Sequence, residues 1–444
     1  MIKYLGIIVL AVFLSGLIPG PVQAQDEISA STTVEASFPE SLTFHLKANL
    51  SPVSSAVITS ITLRYKIEKI TTVTVVSEVE PEFDPGPVVE TSWELDMRKV
   101  GLPPGAEVSF QWIVEDAFGH ILETPWETVT FNDERYSWEQ WTEDKVSLFW
   151  YQGSRDFAQG LFDATYEALD RLAQDVGVYL EQPVKIYIYA SPSDLKGALI
   201  YPEEWTGGLV FIDYGIIAIG VPPGDLAWGK RALAHELCHL VIHQMTFNPY
   251  GDLPLWLDEG LAGYAEGAFR SEYQYLLDKA VSEGSLISVQ SLSSNFPADS
   301  GEANLSYAQS YSVVEFLIRD YGKERMLQLL DVFKEGSSYD KALMEVYGFD
   351  TGELDALWRA SLGLEPRPTP TPLATIPTPS SSPAVTPAIT PAPTPKAGGG
   401  CAASSGSSSS GVAMLGALGV LLLLPTTAEA IHLRSRNKRK QWFK

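Results

Sequence analysis

The sequence predicts an α+β protein made of two folded units, a β-sandwich followed by a mixed sheet that carries a helical domain. The first observation is a series of short alternating strands, separated by turn signals, in residues 28–132. The second is a change of pattern in residues 138–363, where a few strands come first and helices follow almost to the end. Strands followed by helices within one segment are typical of an α+β domain.

The strands of the first unit are identified by alternating apolar residues. The clearest runs are residues 42–46 and 108–114, and turn signals such as Pro103-Pro104-Gly105 separate the strands. Every second residue of such a run faces one side of a sheet, so these runs predict the inner faces of a sandwich. Residues 103–131 resemble the later strands of immunoglobulin-like or fibronectin-like modules. A binding or spacer role and a purely structural platform are both compatible with this pattern.

The second unit begins with strands and continues with helices. Residues 146–151 and 184–189 each predict one strand, and residues 207–221 predict one or two more. Apolar residues between Phe157 and Val176 recur at helical spacing, which places a helix between the first two strands. After the turn at residues 222–224 the pattern is helical almost to Gly363.

The chain begins with the features of a secretory signal peptide. Residues 1–24 combine a basic start, a short apolar run and a small-residue cleavage site. We therefore expect an exported protein whose mature chain starts near Gln25. Its two cysteines, Cys238 and Cys401, lie in very different contexts and are not predicted to pair, so the fold must rest on its core.

The C-terminal region predicts attachment to a membrane. Residues 364–411 form a Pro/Thr/Ser-rich and then Gly/Ser-rich stalk, in which the 11 prolines of residues 366–395 favour an extended spacer, about 90 Å long if fully stretched. Residues 412–433 read as a membrane segment or a sorting signal, and residues 434–444 as a basic cytoplasmic tail. Retention of this segment and processing at Cys401 both remain open. Either mechanism leaves the folded units at the cell surface, outside the cytoplasm.

The charge of the chain excludes one class of partner. The formal net charge is -24. Without Lys3, Glu429 and the basic residues of the tail, 24 basic and 54 acidic residues remain in the exported part. Such a surface repels nucleic acid and anionic lipid, so we expect no nucleic-acid partner.

A zinc-binding motif lies on the helix that is predicted after the turn at residues 222–224. Asp225 can cap this helix, and the motif His-Glu-x-x-His follows at residues 235–239. His235 and His239 are one turn apart, so both imidazoles can reach one ion. Glu236 lies beside them, where it can take a proton from the water that attacks a carbonyl. These residues predict a hydrolase that uses one Zn²⁺ ion.

The third metal ligand comes from a second helix. Glu259 follows His239 by 20 positions, within the segment Trp-Leu-Asp-Glu-Gly-Leu-Ala at residues 256–262. The sequence here resembles the gluzincins of the aminopeptidase-N-like, peptidase MA superfamily, over roughly residues 140–362. The resemblance implies that Glu259 is the third ligand, with Asp258 as the adjacent alternative. Gly260, which has no side chain, would let the ligand helices approach closely.

Two further pieces follow from the resemblance. Residues 307–317 resemble the family helix whose leading tyrosine steadies the tetrahedral intermediate, which implies this role for Tyr307, with Tyr311 as its competitor. Residues 214–220 are the counterpart of the strand that holds the substrate in the family's aminopeptidases. This segment lacks their Gly-x-Met-Glu-Asn glutamate, which argues against an aminopeptidase, although it can still pair with an extended peptide.

Three neighbours of the motif have open roles. His243 can be a donor to a ligand, a substitute ligand or a polar residue at the end of an amphipathic helix. Cys238 is expected to pack in the core. Glu266 can orient a ligating histidine or lie on a solvated face.

The function that these features predict is a membrane-tethered, extracytoplasmic zinc metallopeptidase that acts on a peptide or protein substrate. Two alternatives stay open: a non-catalytic surface protein that binds partners through a peptidase-like fold, and a zinc hydrolase of a non-peptide amide. The intact Glu236 argues against the first alternative. The sequence leaves undetermined the physiological substrate, endo- versus exo-cleavage and the oligomeric state.

Overall fold

The computed structural model describes residues 28–365 except residue 53, residues 71–74, residues 202–206 and residue 298. The predicted signal peptide, the stalk beyond residue 365, the membrane segment and the basic tail lie outside the described residues. Among the helices of the described part, none is long and apolar enough to cross a bilayer.

Thirteen strands are described, and they form three sheets. In chain order they are β1 (Ile28–Ser37), β2 (Ser41–Leu50), β3 (Ile58–Ile67), β4 (Val76–Val79), β5 (Val88–Asp96), β6 (Ala106–Asp116), β7 (Ile121–Glu123), β8 (Glu127–Phe131), β9 (Glu139–Glu143), β10 (Val146–Trp150), β11 (Val184–Tyr189), β12 (Gly208–Phe211) and β13 (Ile216–Gly220).

Eleven α-helices are described, and all but three follow β13. In chain order they are α1 (Met97–Val100), α2 (Arg155–Arg171), α3 (Pro192–Lys196), α4 (Leu226–Thr246), α5 (Leu255–Ala265), α6 (Ser271–Glu283), α7 (Val289–Leu292), α8 (Ser300–Tyr321), α9 (Lys323–Lys334), α10 (Tyr339–Tyr347) and α11 (Thr351–Ser361). The chain is therefore a mixed α+β protein, as the sequence predicts.

The first eight strands form a β-sandwich. One antiparallel sheet has the order β1-β2-β5, and the other has the order β4-β3-β6, with β7 and β8 both paired to β6. Alternate residues of β2 are buried between the sheets, and the Phe44 ring lies 5.0 Å from the Phe110 ring of β6. The predicted alternation is thus confirmed. The fourth strand pairs with the third rather than the fifth, which distinguishes this order from constant-type immunoglobulin domains.

The third sheet has the order β12-β13-β11-β10-β9. Its three inner strands are parallel, and an antiparallel strand closes each edge. The predicted strands at residues 146–151, 184–189 and 207–221 correspond to β10, β11 and the pair β12 and β13. The sequence reading missed β9, because its five residues are mostly polar and exposed and show no apolar alternation.

Both faces of the third sheet are covered. One face packs against the helices through residues such as Leu148, Ile186 and Ile217. The opposite face, which carries Tyr187 and Tyr189, belongs to the core of the β-sandwich. The alternation of side chains along each strand therefore supplies both layers.

Specific contacts join the sandwich to the third sheet. The Tyr189 hydroxyl donates a hydrogen bond to Asp133 Oδ2 at 3.0 Å, and Lys185 Nζ lies 2.7 Å from Glu107 Oε1. Gly105, at a φ of +82°, leaves room for the Tyr187 ring, since a Cβ there would collide with the tyrosine hydroxyl. The sandwich is a structural platform for the sheet in this region.

Close packing of two helices fixes the position of α5. A Cβ at Gly260 would meet the Ser310 carbonyl oxygen and would lie 2.5 Å from Val314 Cγ2. Ser310 and Val314 belong to α8, so Gly260 lets α5 approach α8. The expectation that Gly260 serves the contact between the two ligand helices is wrong, because its hydrogen faces this other neighbour.

We predict that Gly260→Ala destabilises the protein by about 1–3 kcal/mol, because a methyl group must be forced into a filled contact. Gly263→Ala is the matched control on the same helix, since its nearest neighbour would be Tyr311 Cδ2 at 3.5 Å. The control should be neutral or more stable by about 0.5–1 kcal/mol, because alanine favours a helix over glycine. Urea unfolding measures both changes, and equal stabilities would contradict this account of the contact.

Candidate metal centre

Helix α4 carries the two histidines through the core. The Asp225 side chain accepts a hydrogen bond from the Trp228 amide and so caps the helix. Almost every residue from Trp228 to Ile242 is buried, because the helix lies between the third sheet and the other helices. His235 and His239 are one turn apart, with ring centroids 4.9 Å from each other. Both imidazoles therefore lie on one side of α4.

Helix α5 brings Glu259 to these rings. Glu259 Oε2 lies 3.3 Å from His235 Nε2 and 3.6 Å from His239 Nε2. One ligand atom from each of the three residues can be chosen so that all lie within 4.8 Å of one another. The structure thus brings together the three residues that the sequence predicts as metal ligands.

The chemistry of this cluster fits a divalent cation. Glu259 is only 1% exposed, and neither of its carboxylate oxygens has a hydrogen-bond partner in the described part of the chain. His239 Nε2 is also buried without a partner there. A buried carboxylate that faces no cation or hydrogen-bond donor destabilises the folded state by about several kcal/mol. Two imidazole nitrogens and one carboxylate are a donor set that zinc prefers in catalytic sites.

Carboxylates hold the outer nitrogen of each ring. His235 Nδ1 lies 3.0 Å from Glu266 Oε1, and His239 Nδ1 lies 2.9 Å from Asp258 Oδ1. Because an ionised carboxylate only accepts, each Nδ1 carries a proton, and each Nε2 faces Glu259 and is the nitrogen available to a metal ion. Glu266 therefore contacts His235, a predicted ligand, rather than lying on a solvated face.

Asp258 is the partner of a histidine rather than the third ligand at this cluster. Neighbouring residues of a helix point about 100° apart. Asp258 therefore contacts Nδ1 of His239, while Glu259 faces Nε2 of the same ring. The alternative that Asp258 replaces Glu259 is therefore not supported. The burial of Asp258 raises its pKa, but the facing imidazoles of His243 and His239 outweigh this and hold the pKa well below its usual range.

The remaining histidine of α4 also contacts Asp258. His243 Nε2 lies 3.0 Å from Asp258 Oδ2, and its side chain is only 11% exposed. Of the alternatives for His243, this contact favours a donor near the predicted ligands over a polar residue at the end of an amphipathic helix. Cys238, between the ligand histidines, is buried in the core as expected.

Glu236 lies beneath the edge of the third sheet. A Cβ at Gly208, the first residue of β12, would lie 2.8 Å from Glu236 Oε1. The side chain is buried, and this burial raises the pKa of its carboxyl. The absence of a side chain at Gly208 is what allows the strand to pass this close to the carboxyl group.

The strand that passes the site is β12, which corrects one expectation. Residues 214–220 were expected to supply a strand that pairs with an extended peptide. In the structure β13 lies between β11 and β12 and is paired on both sides. Its unbroken apolar sequence is that of an interior strand. β12 is the edge strand, and the Gly-Gly pair at residues 207–208 was the overlooked signal.

The contacts described for Tyr307 are with Phe296 and Arg270. It is buried on α8, edge-on to the Phe296 ring at 5.1 Å, and close enough to Arg270 to affect the pKa of that guanidinium. Arg270 Nε in turn lies 3.9 Å from Glu266 Oε2. Tyr311 stacks on Phe269 at 4.3 Å. The role of Tyr307 at the site stays a prediction.

Comparison with known proteins gives one family match for the second unit. Residues 164–363 match the family model of the Peptidase MA superfamily. The match covers the helices that carry the His-Glu-x-x-His and Glu-Gly motifs, in agreement with the resemblance that those motifs show. A comparison with curated proteins found no match.

Two similar solved structures carry the names aminopeptidase A and aminopeptidase N family protein. The Legionella pneumophila aminopeptidase A in complex with aspartic acid is 11% identical, with a TM-score of 0.35 over 75% of this chain and 49% of that one. An aminopeptidase N family protein from Idiomarina loihiensis is 10% identical, with a TM-score of 0.32 over 76% of this chain and 73% of that one. The chain spans about half the length of the first protein.

We predict that the metal-free protein loses stability as the pH rises from about 6.5 to 9. Burial lowers the pKa of His235, but the facing carboxylates of Glu259 and Glu266 outweigh it and raise the pKa to about 9. The pKa of His239 is also raised, because the nearby carboxylates of Asp258 and Glu259 outweigh its burial. Between the unfolded and folded pKa values the native state binds more protons, so rising pH favours unfolding.

The measurement is the melting temperature of chelator-treated protein across this pH range. The variant Glu259→Gln is the control, because it removes the charge that raises both histidine pKa values, and its pH dependence should be flatter. A melting temperature of the metal-free protein that rises over the same range would show that the rings are not protonated in the folded state.

Proposed function

We propose that this protein is a zinc-dependent metallopeptidase in which His235, His239 and Glu259 hold one Zn²⁺ ion. The observation that supports this most directly is the convergence of three buried ligand groups, two of which, Glu259 and His239, offer atoms without a partner in the described part of the chain. The match of residues 164–363 to the Peptidase MA superfamily supports the reaction class. A bound zinc ion would polarise the scissile carbonyl and make water a better nucleophile at neutral pH.

Glu236 is proposed as the general base. It follows His235 directly, so its carboxyl group lies at the site without sharing the direction of the ligand side chains. The carboxyl takes a proton from the attacking water and delivers it to the leaving amine. Its place beneath β12 puts this proton transfer next to the strand that is best placed to hold a substrate.

The substrate is proposed to be an extended peptide that pairs with β12. Among the described strands none pairs with the outer side of β12, so the backbone groups on that side can pair with another chain. Residues 207–211 contain no acidic side chain, so the strand offers no carboxylate to bind a free amino terminus. We therefore favour recognition of the peptide backbone over recognition of its end.

Tyr307 remains the proposed donor to the oxyanion that forms during hydrolysis, on the basis of the family resemblance. A phenol is a neutral donor that suits a developing negative charge. For Tyr307 to serve, its hydroxyl must reach the site from α8, on the side of Glu266 and Arg270.

We also propose that the enzyme is exported and tethered to a membrane, with its folded units outside the cytoplasm. The support is the sequence of residues 1–24, the proline-rich stalk, and the apolar and basic segments of residues 412–444.

The test of the function is a comparison of Glu236→Gln with the parent protein. We expect the variant to hold one zinc ion per chain and to lose about 100-fold or more in kcat/KM on a cleaved peptide, because it keeps the ligands but lacks the base. Metal content by mass spectrometry and cleavage of a peptide library provide the two readouts. Chelation should abolish cleavage, and added zinc should restore it.

The matched control is Glu283→Gln, an exposed residue of α6, which should leave both readouts unchanged. Full hydrolysis by Glu236→Gln would contradict the assigned base. Zinc binding without cleavage of any peptide would favour the binding protein or the hydrolase of another amide.

A second prediction concerns the strand above the base. Gly208→Ala should lower kcat/KM while zinc content and melting temperature stay unchanged, because the new methyl group displaces the flexible end of Glu236 rather than the backbone. Gly207→Ala is its control, since the nearest atom there is a Trp228 ring carbon at 4.0 Å. Equal activities of the two variants would show that Glu236 does not act from beneath β12.

A further inference from the structure

Three side chains are connected by hydrogen bonds on the side of His239 that faces away from Glu259. His239 Nδ1 lies 2.9 Å from Asp258 Oδ1, and His243 Nε2 lies 3.0 Å from Asp258 Oδ2. The two histidines are successive turns of α4, and Asp258 reaches them from α5. Each oxygen of the carboxylate thus has its own donor, and one side chain joins both helices.

We propose that His243 is a positioning residue for the metal centre. It holds the Asp258 carboxylate, and through it the ring of His239, so that His239 Nε2 faces Glu259. This inference rests on the proposed function, because it requires that His239 be a metal ligand. Neither the motif nor the family resemblance assigns any such role to residue 243.

The physical argument starts from the environment of Asp258. Its side chain is 9% exposed, so few water molecules can replace a lost donor. A carboxylate in such a place needs donors at both oxygens, and a buried charge that loses one donor is costly. Without the His243 donor, rotation of the Asp258 carboxylate toward solvent becomes more favourable. The His239 ring would then lose the hydrogen bond at Nδ1. Such outer partners of metal-ligating histidines are worth about 10- to 100-fold in metal affinity.

The other ligand histidine has a comparable arrangement. His235 Nδ1 contacts Glu266, and Arg270 is the cation beyond it, with Nε 3.9 Å from Glu266 Oε2. That contact is an ion pair beyond hydrogen-bond distance, whereas His243 makes a hydrogen bond. Each ligand imidazole is therefore supported by a carboxylate, and each carboxylate faces a further basic side chain.

A second metal ion is the competing interpretation. One atom from each of His239, His243 and Asp258 can also be chosen within 4.8 Å of one another. An ion there would have to replace the two hydrogen bonds of Asp258 and use the ring of His239 a second time. The positioning role needs no such rearrangement, and the number of zinc ions per chain separates the two.

The experiment measures the zinc dissociation constant by competition with a chelator of known affinity, using the full chain. His243→Leu removes the donor, and we expect it to bind zinc about 10-fold or more weakly. His243→Gln offers an amide N–H at a similar reach, and we expect it to restore most of the affinity. This rescue distinguishes positioning through a hydrogen bond from a general packing role.

The matched control is His120→Leu in the β-sandwich. His120 Nδ1 lies 2.9 Å from Asp116 Oδ2, so this variant removes the same kind of contact far from the proposed ligands in sequence and in a different unit. Its zinc affinity should equal that of the parent protein. Melting temperatures of the metal-free variants show whether each one folds. If His243→Leu does not fold, His243→Asn takes its place, because its amide is too short to reach Asp258.

Each outcome has one meaning. One zinc ion in the parent protein with equally tight binding in a folded His243→Leu or His243→Asn overturns the positioning role. If His243→Gln binds zinc as weakly as His243→Leu, the positioning role is also overturned, in favour of packing or direct ligation. Two zinc ions per chain, one of which is lost on substitution, assign His243 to a second metal site instead. Absence of zinc binding by the parent protein overturns the proposed function itself.

Discussion

The structure of the second unit depends on one buried charge. Glu259 lies between two imidazoles in the interior, and its carboxylate oxygens have no donor among the described residues. A group of this kind is stable only where cations or protons balance it. The surrounding elements can be understood as the means of holding that balance: α4 supplies two rings, α5 supplies the carboxylate, and α8 keeps α5 in place at a contact where only glycine fits.

Part of this arrangement follows from the sequence because it is local. The histidines are four residues apart on one helix, so their common direction is a property of helix geometry. The pairing of β10, β11 and β13 follows from short apolar runs that only a buried sheet can accommodate. Glu259 could be named because its motif resembles that of a known superfamily, not because spacing alone fixes its distance from the rings.

The rest could not be predicted because it depends on contacts between distant elements. β9 has too few apolar residues to be recognised, and its place comes from pairing with β10. The four residues of β12 pair with the outer side of β13. The edge of the sheet is therefore β12 rather than residues 214–220. His243 and Asp258 are separated by 15 positions, and only the crossing of α4 and α5 shows that they meet.

The shared core of the sandwich and the third sheet has a consequence for how this protein can evolve. Tyr187, Tyr189 and Ala218 of the sheet are buried in the same cluster as the sandwich residues. A chain that lacks the β-sandwich would expose this apolar layer to water and would aggregate more readily. The amino-terminal unit consequently cannot be exchanged for another domain without exposing this layer. Recombination that replaces it must also supply a new apolar cover for that side of the third sheet.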